Sequence, residues 1–183
     1  MKALVGAAVA AIIAGTAMLG IGYAQAADRP DCHPRVTPPL PLPDGWTIVY
    51  HCGPPHVAGI SGMTRFSDRV IDVWPAVMDT ADQLRDTIAH ETLHVYDWLY
   101  LDSAERQTWR TMRGLQDAPW WHDQELTAGA ELDRDRWAQA AAEDWAEVGA
   151  ACLTGSPVGR RFDPPTPQQC QFVREATHEG VHS

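Results

Sequence analysis

The stretch IAHETLHVYDW, residues 88–98, contains two histidines four positions apart, with a glutamate directly after the first. An α-helix has about 3.6 residues per turn, so residues four positions apart leave the same face one turn apart. On a helix, His90 and His94 therefore form a pair that can hold one metal ion. Glu91 projects beside this pair. The pattern is typical of a zinc site in which the glutamate takes a proton from water held at the metal.

The sequence around this motif favours a long helix. Apolar residues recur at broadly helical spacing through residues 80–101, and Thr80 with Gln83 has the sequence of a capping box. A second helix is expected within residues 133–153, where Gly155 can end it.

Two segments before the motif, residues 46–52 and 69–74, are rich in β-branched and aromatic residues and predict strands. We therefore expect an α+β fold, in which a short sheet packs on the motif helix and a second helix carries further acidic residues.

The chain repeats the motif at its end, where His178, Glu179 and His182 have the same spacing. Gly180 lies inside this second copy, and only one residue follows the last histidine, so no further helical turn would hold it in place. We interpret the second copy as a coincidence of composition and assign the metal site to the first copy.

Catalytic zinc sites normally have three protein ligands, so a third ligand is needed. In one class of such sites the third ligand lies on the same segment, with Gly three residues and His or Asp six residues after the second histidine. Here Asp97 and Tyr100 occupy these two positions, which disfavours that class. Glu143 and Glu147 are four positions apart and share one face of the later helix. One of them can bind zinc while the other orients a ligating histidine. The alternative is an ordinary solvated acidic face.

The motif HETLHVYD, followed by EDWAE at residues 143–147, resembles the gluzincin metallopeptidases. The nearest type is that of lethal factor and the Pro-Pro endopeptidases, and small secreted bacterial proteins have a similar layout. The resemblance covers about residues 70–155 and implies a small zincin-like domain with zinc as its cofactor.

Carried over residue by residue, the resemblance makes Glu143 the third zinc ligand, with Glu147 behind it. Asp97 matches the family's aspartate after the second histidine; the alternative is a polar residue on the exposed side of the helix. The chain departs from the family where Trp145 replaces a Phe, and where Arg136 replaces a Tyr that can stabilise the oxyanion.

Another group would then have to polarise the scissile carbonyl, and His122 and Arg136 are the candidates. For both, the alternative is a plain surface residue. The strand at residues 69–74 precedes the motif helix, as the substrate-aligning edge strand does in such enzymes. An extended peptide could pair with it; the alternative is an interior strand.

The tryptophans fall into two groups. We expect Trp98, Trp137 and Trp145 in the core, because large aromatic side chains dominate core burial. Trp120 and Trp121 lie in a predicted loop, where they either cap the core or line a substrate cleft, and we prefer the cap.

The N-terminus has one lysine before an apolar run that ends in the small-x-small sequence AQA, which predicts a signal peptide over residues 1–26. The alternative is an uncleaved membrane anchor. Residues 27–45 are proline-rich and should run extended over the surface. We expect residues 46–155 to form the zincin-like domain and residues 156–183 to form a tail.

The cysteine count and the net charge narrow the class of protein further. An even number of cysteines in an exported chain suggests two disulfides, and we expect the sequence-local pairs Cys32–Cys52 and Cys152–Cys170. A zinc site made of cysteines is disfavoured, because no Cys-x-x-Cys occurs. The net charge of −10 disfavours nucleic acid as a partner, since such binding needs basic surface.

These observations lead us to expect a secreted, monomeric zinc metallopeptidase with no stable membrane insertion after signal cleavage. Its substrates would be peptides or proteins, and Glu91 would be the general base. One alternative is a non-catalytic exported protein that keeps the fold and binds a partner; the missing Tyr favours it and the intact Glu91 disfavours it. Another alternative is a zinc amidase acting on cell-wall peptides.

Overall fold

The computed structural model describes residues 36–122 and 131–179. Within these residues the chain forms three β-strands and five α-helices, so the predicted α+β class is confirmed. The elements in chain order are β1 (Thr47–Tyr50), β2 (Gly62–Arg65), β3 (Val70–Val73), α1 (Ala81–Tyr100), α2 (Ser103–Arg113), α3 (Arg134–Trp137), α4 (Ala141–Thr154) and α5 (Pro167–Glu179).

Several predicted features fall beyond this part of the chain. The predicted signal peptide at residues 1–26, Cys32 and His182 lie outside the described residues. Among the helices that are described, none has the length and apolar character needed to cross a membrane.

The three strands form one sheet in the order β1-β3-β2, with β1 parallel and β2 antiparallel to β3. The prediction that residues 69–74 form an edge strand is therefore wrong, because β3 is the interior strand. Its apolar side chains explain this position, since Ile71 and Val73 are fully buried. The edge facing α1 is β2, which the sequence did not identify as a regular strand. Its residues GMTR lack the β-branched run that marks β3.

Helix α1 forms the middle layer of the fold. Its Leu84, Ile88 and Val95 pack against Ile71 and Val73 of the sheet. Because apolar residues also lie on its other side, α1 is covered on two faces, by the sheet and by α4.

The packing between α1 and α4 is close. A Cβ added at Gly149 of α4 would lie 2.7 Å from Leu93 Cδ1, so this position requires glycine. The indole of Trp145 is fully buried, and its Nε1 donates to the backbone carbonyl of Leu93 over 3.2 Å. Truncation of such a side chain costs about 3–5 kcal/mol. This contact fixes the distance between the two helices that carry the candidate site.

The predicted helix ends are confirmed. Thr80 accepts from the backbone N–H of Gln83 and the Gln83 side chain accepts from the backbone of Thr80, which completes the capping box of α1. Gly155 ends α4 in the left-handed region at φ 78°, where a side chain would be strained.

The disulfide Cys152–Cys170 is confirmed and joins α4 to α5. It closes a loop of 18 residues, for which the chain-entropy model gives about 3 kcal/mol of stabilisation. The predicted pair Cys32–Cys52 involves a residue outside the described part of the chain.

The three tryptophans predicted to lie in the core have different environments. Trp145 is fully buried, Trp137 is half-buried, and Trp98 is 55% exposed. The prediction for Trp98 is wrong because this residue lies on the last turn of α1 and on the same face as His90 and His94. On that face Trp98 contacts Phe66, but this contact leaves it 55% exposed.

Candidate metal centre

Packing of α1 on α4 brings together His90, His94 and Glu143. The Nε2 atoms of the two histidines are 3.2 Å apart, and Glu143 Oε2 lies 3.3 Å from each of them. Tetrahedral zinc with bonds of about 2.0–2.1 Å places neighbouring ligand atoms about 3.3–3.4 Å apart. The three side chains could therefore hold one metal ion, and their spacing fits zinc.

The hydrogen bonding of Glu143 supports this interpretation. Its Oε2 atom is buried and has no hydrogen-bond partner among the described residues, whereas its Oε1 atom lies 3.3 Å from His122 Nε2. An unsatisfied buried acceptor costs about 1–3 kcal/mol, and more if it is charged. A cation between Oε2 and the two histidines would remove this cost, so the donor set fits a metal ion.

Glu147 contacts the ring nitrogen of His90 that is not a candidate ligand atom. Its Oε2 is 3.3 Å from His90 Nδ1, and its Oε1 accepts from the backbone N–H of Gly159 over 2.8 Å. A carboxylate in this position fixes the orientation of the imidazole and leaves Nε2 directed towards the candidate metal position.

The charges of the site depend on one another. Burial alone would lower the pKa of His90, but Glu143 and Glu147 raise it to about 10. Burial would raise the pKa of Glu143, yet the charge of His94 and the close imidazoles of His122 and His90 hold it well below its usual range. The pKa of Glu147 is lowered in the same way, since His90 outweighs its burial. Both carboxylates are therefore ionised at neutral pH and provide the negative charge that a cation needs.

Glu91 lies between the candidate ligands and the edge strand β2. It is 7% exposed, and the hydroxyl of Thr64 donates to its Oε2 over 2.7 Å. The same hydroxyl is 3.0 Å from the backbone carbonyl of Glu91. A Cβ at Gly62 would lie 2.7 Å from Glu91 Cγ, so the close approach of β2 to Glu91 requires glycine there. Glu91 is not part of the cluster of candidate ligands.

Asp97 is fully buried, so the alternative of a polar residue on the exposed side of α1 is wrong. Burial raises the pKa of this carboxyl although Trp120 and Arg106 oppose the shift. Its oxygens accept from Arg106 Nε over 2.7 Å and from Trp120 Nε1 over 2.8 Å. Among the described residues His94 Nδ1 has no hydrogen-bond partner, so Asp97 does not orient this imidazole directly. Instead, Asp97 fixes Trp120, the residue before Trp121.

A cavity of about 680 Å³ opens in front of these groups. Its wall includes His90, His94, Glu91 and Glu143, together with every residue of β2 except Arg65. Trp137 stacks on His90 with ring centroids 5.9 Å apart. The two tryptophans of the loop divide between the two predicted roles, because Trp120 is buried in the core and Trp121 lines the cavity.

The two candidates for polarising a carbonyl differ in position. His122 lines the cavity and lies beside Glu143. Arg136 is exposed and is not among the described residues that line the cavity. Of the two candidates, His122 is therefore the one that lies in the cavity wall.

Two further residues at the site were not identified from the sequence. Thr64 and Gly62 belong to residues 53–68, whose Gly and Pro content predicts a loop with room for a short strand, and only the approach of β2 to Glu91 makes them part of the site. The second copy of the motif begins at the end of α5, where His178 and Glu179 lie, and its last histidine is outside the described residues.

Comparisons of the chain with protein-family models, with curated proteins and with solved structures found no match.

Proposed function

We propose that this protein is a secreted zinc-dependent metallopeptidase with a zincin-like fold. The observation that carries the proposal is the approach of Glu143 Oε2 to the Nε2 atoms of His90 and His94, with the carboxylate of Glu91 beside them. Two nitrogens and one carboxylate oxygen are the donor set of many catalytic zinc sites. The disulfide Cys152–Cys170 agrees with an oxidising compartment.

Zinc, when bound, would lower the pKa of a coordinated water and polarise the carbonyl of the bond to be cut. Glu91, whose carboxylate lines the same cavity as the candidate ligands, would be the general base and would later donate a proton to the leaving amine. Thr64 donates to one oxygen of Glu91 and so fixes the carboxylate against β2. Glu147 orients His90, and His122 donates to Oε1 of Glu143 so that Oε2 is directed towards the histidines.

The substrate would be an extended peptide. No described strand pairs with the second edge of β2, and residues of β2 line the same cavity as Glu91. Backbone groups at such an edge can accept a peptide as an added strand. The peptide would then pass directly over the carboxylate of Glu91.

A non-catalytic exported protein that binds a partner is the second candidate. Arg136 occupies the position of the family's Tyr, is exposed and is not among the described residues that line the cavity. His122 lines the cavity, but its Nε2 lies 3.3 Å from Glu143 Oε1 and its Nδ1 is buried, so it does not replace the family's Tyr in this arrangement, which favours the second candidate.

Digestion of a peptide library by the zinc-loaded protein separates the two candidates. The wild type should cleave peptides, and Glu91→Gln should reduce the rate by at least about 10²–10⁴-fold, because positioned proton transfer is lost. Zinc content and melting temperature of the variant should match the wild type. Hydrolysis by Glu91→Gln at the wild-type rate would refute the mechanism. Two zinc-loaded proteins that both cleave nothing would favour the partner-binding candidate.

A further inference from the structure

We infer that the substrate carries a large apolar side chain, above all an aromatic one, on the N-terminal side of the bond that is cut. The binding surface for this side chain is an aromatic platform formed by Phe66, Trp98 and Trp121. This inference rests on the proposed peptidase function and adds a substrate class to it.

The aromatic platform begins at a candidate metal ligand. The ring of Trp121 lies 6.0 Å from that of His94, Phe66 lies 5.7 Å from Trp121, and Trp98 lies 4.9 Å from Phe66. Trp98 is four positions after His94, so it extends the ligand face of α1 by one further turn. The platform therefore leads outward from the candidate metal position: Trp121 and Phe66 line the cavity, and Trp98 extends the aromatic surface beyond the lining residues.

The exposure of the platform leaves apolar ring surface available to a substrate side chain. Phe66 and Trp121 are half-buried and line the cavity, and Trp98 is 55% exposed. Aromatic side chains bury about 150–250 Å² each and favour stacked or edge-to-face contact with another ring. An aromatic substrate side chain can stack on the exposed ring faces of the platform or contact their edges. A small or charged side chain would leave the same apolar surface in water.

The platform is held in place from behind. The ring of Phe66 makes an edge contact with Trp46, which is a buried residue of the sheet-side core, with centroids 6.2 Å apart. Trp121 directly follows Trp120, whose indole is fixed by the buried carboxylate of Asp97. Binding to a surface that is already ordered loses less conformational entropy than binding to a mobile one.

The direction of the peptide follows from the direction of β2. At the start of β2, a Cβ added at Gly62 would lie within 2.8 Å of Thr87 and Glu91, so this end of the strand lies beside them. Phe66 follows the other end of the strand and contacts Trp98. Antiparallel pairing is slightly more stable per residue than parallel pairing. A peptide added antiparallel to β2 runs from the Phe66 end to the Gly62 end. The residues before the scissile bond therefore meet the aromatic platform.

The opposite end of the cavity mixes polar and aliphatic groups. Its wall there includes Gln83, Asp86 and Thr87 together with Val77 and Met78. The aromatic platform lies at the other end, so a reversed peptide would move the aromatic preference to the residues after the cleaved bond. This difference makes the direction measurable.

The first test is cleavage of a peptide library in which each position is varied, with zinc-loaded wild-type protein. Peptides with Phe, Trp or Tyr before the cleaved bond should be enriched. Trp98→Ala should reduce kcat/KM for such a peptide by roughly ten-fold or more, as expected for loss of a ring contact and its buried area. The reduction should be much smaller for the matched peptide with Ala at that position, because that side chain makes no ring contact with Trp98. The control is Leu99→Ala, because Leu99 is the next residue on α1, is 45% exposed and lies outside the platform.

The second test measures binding without turnover. Zinc-loaded Glu91→Gln should bind the peptide with Phe more tightly than the peptide with Ala, and Trp98→Ala in the same background should remove the difference. If the wild type cleaves no peptide, the proposed function fails, and this binding preference still decides whether the platform selects an aromatic side chain. Cleavage without an aromatic preference, or an aromatic preference after the cleaved bond, would overturn the inference. So would a change from dimer to monomer in Trp98→Ala with unchanged cleavage, which would assign the platform to self-association.

Discussion

The Oε2 atom of Glu143 lies 3.3 Å from Nε2 of His94, although 49 positions separate the two residues in the chain. The contact depends on the packing of α1 on α4, where Trp145 donates to the carbonyl of Leu93 and Gly149 permits close approach. The core that holds the two helices together is therefore also the structure that assembles the candidate metal site.

The first prediction concerns the ligand set. His94→Ala should reduce bound zinc from about one per chain to near zero, because two protein ligands hold zinc far less tightly than three. The measurement is elemental analysis of the purified protein after dialysis. His178→Ala and His182→Ala are the matched controls, since they remove histidines of the second motif copy and should retain the metal. Loss of zinc from these controls, with retention in His94→Ala, would mean that the second copy of the motif holds the metal and that our assignment to the first copy is wrong.

The second prediction concerns the support of His90. Glu147→Gln should lower zinc affinity by about 10–100-fold, because the amide holds the imidazole less firmly and no longer carries charge. Competition with a zinc chelator measures the affinity. Glu175→Gln is the control, since Glu175 is an exposed glutamate on α5 and should leave the affinity unchanged. Equal affinity in both variants would mean that Glu147 serves only to bind Gly159.

The group of residues that could hold a metal ion could be predicted because it depends on local geometry. The spacing of His90 and His94 determines their common face on any helix, and the same holds for Glu143 and Glu147 on the later helix. The pairing of these two faces was implied by the resemblance, and the packing of α1 on α4 brings the two pairs together.

The rest of the site could not be predicted, because it depends on contacts between distant segments. Thr64 has no motif of its own, and it becomes part of the site only because β2 passes beside Glu91. Trp98 fits the apolar pattern of α1. However, no described residue fully covers the last turn of the helix face that carries His90, His94 and Trp98. The pattern of apolar residues does not show where a covering element ends, so the exposure of Trp98 was missed.

The third prediction concerns acid stability and the buried carboxylate of Asp72, on the sheet. Burial acts to raise the pKa of Asp72, but hydrogen bonds and charge from Arg65 and His51 outweigh it and lower the pKa. The unfolded chain therefore binds more protons than the folded chain in the range between the lowered pKa and about 3.9. The stabilisation is present above that range and is lost as the pH falls through it.

Asp72→Asn tests this sign. The difference in free energy of unfolding between wild type and variant should be constant from pH 7 to about pH 5, and should shrink below about pH 4. Urea denaturation at several pH values measures it. Asp68→Asn is the control, because Asp68 is an exposed carboxylate that also pairs with Arg65. A difference that grows as the pH falls would contradict the predicted sign.

The last prediction concerns Thr64, which touches Glu91 through one hydroxyl. Thr64→Val keeps the shape of the side chain and removes the donor, so the carboxylate of Glu91 loses its 2.7 Å hydrogen bond. A hydrogen bond to a charged group contributes about 1.5–3 kcal/mol, which sets an upper limit of roughly 10- to 150-fold on the loss of kcat. Thr64→Ser keeps the hydroxyl and should recover most of the rate. The measurement is steady-state hydrolysis of one peptide by the three zinc-loaded proteins.

The separation of kcat from KM distinguishes positioning of Glu91 from a role in the fold or in substrate binding. Thr64 lies on the edge of β2 that would bind the peptide, but its backbone groups are the same in Thr, Ser and Val. KM should therefore change little, and zinc content should not change, because Thr64 contacts none of His90, His94 and Glu143. A loss of kcat in Thr64→Val that Thr64→Ser does not recover would assign the effect to packing. A rise in KM alone would mean that the hydroxyl contacts the substrate and not the general base.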